Sequence, residues 1–181
     1  MKNSTSLLLF HVTLFILLQS HYCYVLPLDE GNGLIENTCK KTPHYDLCVS
    51  TLESNPESSG SDLRGLAHVM VDTVLSKATD NLDFIRALLK QAPDEQLEKS
   101  LANCAEIYIP VVKYSLPQVI DALTGGHFGF ANYGISDTAK QAQACEKNFS
   151  GFDKSPLAER NNLLHDLSEV AAAIINVLLK D

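Results

Sequence analysis

The histidines of the chain are its most versatile side chains, because an imidazole can act as a general base, a general acid or a metal ligand. His44, His68, His127 and His165 do not form the His-Glu-x-x-His pattern of a zinc hydrolase. The Gly-x-Ser-x-Gly motif of serine hydrolases and the glycine-rich phosphate loops are also missing from the sequence. The sequence therefore predicts no catalytic residue, no cofactor site and no metal site.

Two groups of residues could still be taken for acid–base pairs. His165 is followed by Asp166, but neighbours on a helix point about 100° apart, so we expect two surface residues rather than a catalytic dyad. Asp72, Asp80 and Asp83 have no evident partner, and we expect them on a solvated helix face. This pattern favours a binding protein over an enzyme.

The overall composition is that of an acidic globular protein. The chain has 181 residues, 45% of them hydrophobic and 20% charged, which suffices for one domain with a sizeable core. Its formal net charge is −8. Nucleic-acid phosphates are bound by clustered lysine and arginine side chains, so we expect no nucleic acid among the partners.

The N-terminal segment has the pattern of a secretory signal. Lys2 precedes an apolar run over residues 7–18, and polar residues follow that run. A run of this length is too short to cross a bilayer comfortably. We therefore expect a signal peptide over residues 1–25 and a secreted domain over residues 26–181, without a membrane partner.

The rest of the chain is patterned for helices and contains no competing strand pattern. Apolar residues recur at spacings of three and four, which places them on one face of a helix. The predicted helices cover residues 62–91, 94–123, 128–149 and 156–178. Pro110 and Pro117 lie inside the second helix, where we expect a kink or a local break.

Short loops marked by glycine or proline separate the predicted helices. Ser61 or Asp62 can cap the first helix, Gly125 and Gly126 can end the second, and Pro156 is suited to the first helical position of the fourth. The pattern predicts an all-α fold, an up-and-down four-helix bundle over residues 61–181. A short N-terminal helical hairpin over residues 31–58 precedes it.

The cysteines beyond the signal are expected to form two disulfides. Cys39, Cys48, Cys104 and Cys145 are even in number, and thiols of an exported protein meet an oxidising environment. Three pairings are possible. Cys39 and Cys48 flank the turn of the short hairpin, whereas Cys104 and Cys145 lie at similar distances from the Gly125-Gly126 turn, on antiparallel helices. Spacing therefore favours Cys39–Cys48 and Cys104–Cys145.

One further motif is a candidate modification site. Asn148-Phe149-Ser150 matches the acceptor pattern for N-glycosylation. It falls at the predicted end of the third helix, where we expect the side chain to be exposed. Asn148 is therefore a predicted glycosylation site.

Several blocks of the sequence resemble the plant invertase and pectin methylesterase inhibitor family. The blocks are Thr38-Cys39-Lys40-Lys41-Thr42-Pro43, Tyr45-Asp46-Leu47-Cys48, Asp62-Leu63-Arg64-Gly65-Leu66-Ala67, Ser115-Leu116-Pro117, Ile120-Asp121-Ala122-Leu123, Ala144-Cys145-Glu146, Ser155-Pro156-Leu157 and Asn176-Val177-Leu178-Leu179. Together with the four-cysteine spacing, they extend the resemblance over residues 31–181.

The resemblance implies the same hairpin, bundle and disulfide pairs that the spacing favours. It also implies a monomeric inhibitor without a cofactor, which blocks a plant carbohydrate-active enzyme in a one-to-one complex. The implied location is the apoplast and cell wall, or the vacuole. Acid invertase is the target that we favour, and pectin methylesterase is the alternative, because the two groups of inhibitors share one fold.

The family's invertase inhibitors suggest where the target binds. They carry a Pro-Lys-Phe triplet after the turn between the second and third bundle helices, and this chain has Phe128-Gly129-Phe130 there. Only the last phenylalanine agrees. We expect His127, Phe128 and Phe130 to bind the target, with at least one exposed ring entering its active-site cleft. The alternative is that Phe128 caps the core and Phe130 packs against the hairpin.

Overall fold

The computed structural model describes residues 30–180, and every regular element in this range is a helix. The predicted signal peptide lies outside the described residues. The helices are α1 (Glu30–Cys39), α2 (Tyr45–Glu53), a 3₁₀ turn (Pro56–Ser58), α3 (Leu63–Leu89), α4 (Glu95–Pro110), a π-helical segment (Val111–Ser115), α5 (Leu116–Thr124), α6 (Phe128–Lys147) and α7 (Ala158–Leu178). Among these helices, none combines the length and the apolar character that crossing a membrane requires.

Helix α3 begins and ends within two residues of the predicted positions. The Asp62 carboxylate accepts a hydrogen bond from the Gly65 backbone N–H at 2.8 Å, which satisfies one of the free donors of the first turn. The face that carries Ala67, Met70 and Val74 is fully buried. Burial of this stripe against the other helices, rather than intrinsic propensity, holds so long a helix in place.

The predicted break in the second bundle helix is confirmed. Pro110 ends α4, Pro117 lies in the first turn of α5, and a π-helical turn separates the two helices. In that turn the Leu116 N–H donates to the Val111 carbonyl, five residues back instead of four. Because neither proline can donate a backbone hydrogen bond, the regular ladder is interrupted and the wider turn spans the gap.

Helix α7 begins later than predicted. Pro156 belongs to the preceding turn, and the helix starts at Ala158. The Ser155 hydroxyl accepts a hydrogen bond from the Leu157 N–H at 3.1 Å and donates one to Glu146 at 3.0 Å. Ser155 therefore stabilises a turn against α6, and this turn delays the first helical residue.

The four long helices pack as an up-and-down bundle. Helices α4 and α5 are the two halves of the second bundle helix. Helix α3 packs against α4 and α7, and α6 packs against α7 and α5, so the four bundle helices form a closed ring. The predicted Cys104–Cys145 disulfide is confirmed: it joins α4 to α6 across a Cα–Cα distance of 4.8 Å, and both cysteines are fully buried.

The N-terminal hairpin consists of α1 and α2 and is closed by the second predicted bond, Cys39–Cys48, with the Cα atoms 5.5 Å apart. Helix α2 packs against α3 and α7. Ile35 and Leu52 are buried and belong to the same apolar cluster as the bundle core. The hairpin thus adds its few apolar side chains to the bundle core instead of forming a core of its own.

A buried polar network links all four bundle helices. The Tyr108 hydroxyl on α4 donates to Asn161 on α7 at 2.7 Å and accepts from the Asn81 amide on α3 at 3.2 Å. The Asn161 amide in turn donates to Glu146 on α6 at 2.8 Å. Tyr108 is 1% exposed, and its burial raises the pKa of the phenol to about 12. The fold therefore favours the neutral phenol.

We expect Tyr108→Phe to lower the free energy of unfolding by about 1–3 kcal/mol, because Asn161 loses its donor in a buried site. Chemical denaturation followed by circular dichroism measures this change. Tyr133→Phe is the matched control: Tyr133 is 71% exposed, and its replacement should change stability by less than about 0.5 kcal/mol. Equal stabilities of the two variants would show that the network is energetically neutral.

The raised pKa of Tyr108 also predicts a loss of stability in alkali. Below pH 10, the ordinary pKa, the phenol is neutral in both the folded and the unfolded protein. Between this value and about 12 the unfolded chain releases the proton and the folded protein retains it, so stability falls as the pH rises. Absorbance at the tyrosinate band should show one late-ionising tyrosine that disappears in Tyr108→Phe. Ionisation of Tyr108 together with the exposed tyrosines would contradict this prediction.

Candidate functional site

The turn between α5 and α6 is closed by backbone hydrogen bonds. The Gly126 N–H donates to the Leu123 carbonyl at 3.2 Å, and the His127 N–H donates to the Ala122 carbonyl at 2.8 Å. This pair of bonds is the Schellman motif, and it requires a left-handed residue, here Gly126 with φ 75°. We call residues 125–130 the bundle tip. Its backbone conformation is fixed by these bonds, with glycine in the position that needs it.

Phe128 is the half-buried ring of the bundle tip. The guanidinium of Arg64, near the start of α3, lies over the Phe128 ring, 5.0 Å from its centroid. Arg64 also lies beside Gly126, where a Cβ atom added to the glycine would be 3.6 Å from the guanidinium. A cation over an aromatic face is attracted by the ring quadrupole. The first bundle helix therefore holds Phe128 in place and adds a positive charge to the bundle tip.

Phe130 is the exposed ring of the bundle tip. It is 59% exposed, although it stands only two residues after half-buried Phe128. This ring is therefore outside the core, in agreement with the expectation that at least one ring is exposed. His127, the residue before α6, is exposed, and its side chain makes no capping hydrogen bond to that helix.

The most exposed aromatic side chains precede, belong to and follow the bundle tip in the sequence. Among the described residues, the three large hydrophobic side chains with the greatest exposure are Tyr133 at 71%, Tyr114 at 61% and Phe130 at 59%. They come from the π-helical segment and from the first turns of α6. Aromatic residues are enriched at protein interfaces, because they bury much surface at a small cost in conformational entropy.

A close contact between Gly134 and Val119 holds α6 against α5. A Cβ atom on Gly134 would lie 2.6 Å from Cγ2 of Val119, which is closer than two non-bonded carbon atoms can approach. Val119 is 1% exposed and β-branched, so its side chain is stiff at χ1 and has little room to move the methyl group away. Glycine at position 134 therefore allows the two helices to approach closely.

Comparison with known proteins identifies the family. A model of the family described as plant invertase/pectin methylesterase inhibitor matches residues 33–174. The chain belongs to this family. It is therefore an enzyme inhibitor whose partner is a protein, rather than an enzyme.

Relatives of this inhibitor are named either as inhibitors of fructosidase or as inhibitors of pectinesterase. It is 34% identical over 156 residues to cell wall / vacuolar inhibitor of fructosidase 1 from Arabidopsis thaliana, in a match that covers 85% of this chain and 74% of the relative. It is 31% identical over 174 residues to a pectinesterase inhibitor from Actinidia deliciosa, in a match that covers 92% of this chain and 94% of the relative.

The solved structures support the fold. A crystal structure of a mutant form of a pectin methylesterase inhibitor from Arabidopsis superposes with a TM-score of 0.70 at 19% identity. The match covers 78% of this inhibitor and 95% of the solved chain. The all-helical architecture with its hairpin and bundle is that of the family.

His165 and Asp166 are both partly exposed, yet their side chains contact each other although they are neighbours on the helix. Nδ1 of His165 lies 3.0 Å from Oδ1 of Asp166. His44, at the start of α2, approaches the same carboxylate at 3.6 Å and the Glu169 carboxylate at 3.0 Å. No sequence pattern signals this cluster, because His44 is brought to α7 only by the docking of the hairpin.

The side chain of Asn148 points between helices. Its amide nitrogen donates to the carbonyls of Ala144 and Cys145 at 3.1 and 3.2 Å, and its amide oxygen accepts from Asn103 at 3.1 Å. A glycan is attached to this amide nitrogen, so modification requires the side chain to leave both carbonyls. Glycosylation of Asn148 remains a prediction from the sequence motif.

We expect Gly134→Ala to destabilise the inhibitor by about 1–3 kcal/mol, because the added methyl group collides with Val119. Thermal and chemical denaturation measure the change. Gly129→Ala in the same helix is the control: the nearest atom to the added methyl group would be 4.0 Å away, so stability should stay level or rise slightly. A Gly134→Ala variant as stable as the control would show that α5 and α6 separate freely.

Proposed function

We propose that this protein inhibits a plant acid invertase, a β-fructofuranosidase, by forming a one-to-one complex in which the bundle tip enters the active-site cleft. The family membership and the 34% identity to an inhibitor of fructosidase support this target. The observation that carries the proposal is the exposed Phe130 ring in the first turn of α6, directly after a connecting turn whose backbone is closed by hydrogen bonds.

The structure of the bundle tip favours tight binding. An aromatic side chain that fills a pocket at the centre of an interface is a usual source of binding energy. The closed turn and the tight α5–α6 contact fix the backbone that carries Phe130 before the target arrives. Binding then costs less conformational entropy than the ordering of a flexible loop would cost.

Arg64 compensates for the lysine that the triplet lacks. In the family's invertase inhibitors the resemblance places a lysine beside the last phenylalanine, whereas this chain has Gly129. Arg64 brings a guanidinium to the bundle tip from α3, over Phe128. A guanidinium binds carboxylates in two-pronged geometry, and glycosidases act through carboxylates. We propose that Arg64 supplies the cation for the acidic cleft.

Inhibition of pectin methylesterase is the second candidate function. It is favoured by Tyr114 and Tyr133, which are exposed on helix faces rather than at the turn. We infer that an inhibitor of pectin methylesterase would bind its target through such bundle-helix faces. The 31% identity to a pectinesterase inhibitor supports this alternative.

We further propose that the inhibitor acts as a monomer outside the cytoplasm, in the apoplast and cell wall or in the vacuole. The predicted signal over residues 1–25 and the two disulfides fit an exported protein. A relative named as a cell wall / vacuolar inhibitor fits these locations.

Phe130→Ala should weaken inhibition of acid invertase by about 2 kcal/mol or more, a factor of about 30, while the melting temperature stays nearly constant. The reason is that the exposed ring contributes to the complex and not to the core. Inhibition constants and melting curves of the same preparations measure both effects. Leu163→Ala on α7, with a side chain that is 38% exposed, is the control and should inhibit like the wild type.

These variants, together with Tyr133→Ala, distinguish the two targets when they are assayed against acid invertase and pectin methylesterase. If the wild type inhibits only pectin methylesterase, and Tyr133→Ala abolishes this inhibition while Phe130→Ala does not, the second candidate is correct. Unchanged inhibition of invertase by Phe130→Ala would contradict binding through the bundle tip.

A further inference from the structure

Four polar side chains form a cluster where the hairpin meets α7. His44 comes from the turn before α2, and His165, Asp166 and Glu169 come from α7. Nε2 of His44, a carboxylate oxygen of Asp166 and one of Glu169 all lie within 4.8 Å of one another. The donor atoms come from two different elements, and His44 and Glu169 are 125 residues apart in the sequence. The cluster plays no part in the proposed inhibition.

Two of the three donor separations are close to those in the coordination shell of a small divalent ion. Nε2 of His44 is 3.0 Å from Oε2 of Glu169 and 3.6 Å from Oδ1 of Asp166. Bonds of about 2.0–2.1 Å around a tetrahedral zinc ion separate neighbouring ligand atoms by about 3.3 Å. These two distances lie on either side of this value. The third separation, between the oxygens of Asp166 and Glu169, is within 4.8 Å, and side-chain rotations would have to set it to about 3.3 Å to place three ligands around one ion.

His165 orients one of the three donors, the Asp166 carboxylate, through a hydrogen bond. The Gln143 amide donates to Nε2 of His165 at 2.7 Å, which leaves the proton on Nδ1. That Nδ1–H donates to Asp166 at 3.0 Å. Hydrogen bonds of this kind orient carboxylate ligands in known metal sites. His165 is thus a positioning residue for Asp166.

Charge and access also fit a cation. The carboxylates of Asp166 and Glu169 together carry two negative charges, which a divalent ion balances. Both are partly exposed, at 37% and 42% of the side chain, and His44 is 31% exposed. Glu169 and His165 line a surface cavity of about 440 Å³ together with Pro43 and Lys140. The cavity thus reaches one proposed ligand, Glu169, and the neighbouring His165.

We propose that His44, Asp166 and Glu169 bind a divalent transition-metal ion of the zinc class, which ties the N-terminal hairpin to α7. One imidazole and two carboxylates are the ligand types that zinc accepts, and water completes its shell. Because one ligand lies in the hairpin and two in the bundle, the bound ion stabilises the docked hairpin and the folded protein as a whole.

Isothermal titration of the wild-type protein with ZnCl₂ tests the site, with MgCl₂ as the hard-cation comparison. The protein is purified without a polyhistidine tag and with its disulfides intact. We expect one zinc ion per chain and no comparable binding of magnesium. His44→Gln, Asp166→Asn and Glu169→Gln should each weaken zinc binding at least about tenfold. His68→Gln is the control, because it removes a histidine outside the cluster, and it should bind zinc like the wild type.

Melting curves provide the second readout. Zinc should raise the melting temperature of the wild type and of His68→Gln, and it should leave Glu169→Gln unchanged. Glu169→Gln keeps a polar side chain at a partly exposed position, so it remains informative if His44→Gln fails to fold. No zinc binding by the wild type, or binding by Glu169→Gln as tight as by the wild type, would overturn the proposal. Neither result bears on the inhibition of invertase.

Discussion

The hydrogen bond from the buried Tyr108 hydroxyl to Asn161 is the interaction on which the bundle's register depends. Cys104 lies one turn before Tyr108 on α4, and its disulfide partner Cys145 precedes Glu146, which accepts from Asn161. The covalent bond and the polar network therefore lie at the same level of the bundle. An unsatisfied polar group there is costly, so any slip of one helix would break several bonds together. This constraint aligns α4, α6 and α7.

The bundle tip inherits its geometry from that alignment. Once α6 is fixed against α4, the contact between Gly134 and Val119 sets the separation of α5 and α6. The backbone hydrogen bonds around Gly126 then fix the conformation of the turn that connects α5 to α6. After this turn the Phe130 ring is exposed, while the Phe128 ring lies under the Arg64 guanidinium. The rigid core therefore preorganises the backbone of the bundle tip, and preorganisation lowers the conformational-entropy cost of binding a target.

The hairpin depends on a different balance of forces. Its two short helices bury few apolar side chains, so the Cys39–Cys48 disulfide and the packing of α2 on the bundle supply most of its order. His44 adds a polar contact to Glu169 at this junction. A small unit of this kind gains more from a single additional tie than the bundle core does, which is why a cation at the junction would matter.

The amino-acid sequence was enough to predict the helices, the break between Pro110 and Pro117, the glycine turn and the favoured pairing of the four cysteines. These features follow from local periodicity, from backbone chemistry and from distances along antiparallel helices. Tertiary structure alone decided that α7 starts after Pro156, where Ser155 bonds to Glu146, and that Arg64 lies over Phe128. It also decided the clustering of His44 with the acidic residues of α7. Each of these depends on side chains distant in sequence, and a one-dimensional pattern records which face of a helix is buried but not which side chain it meets.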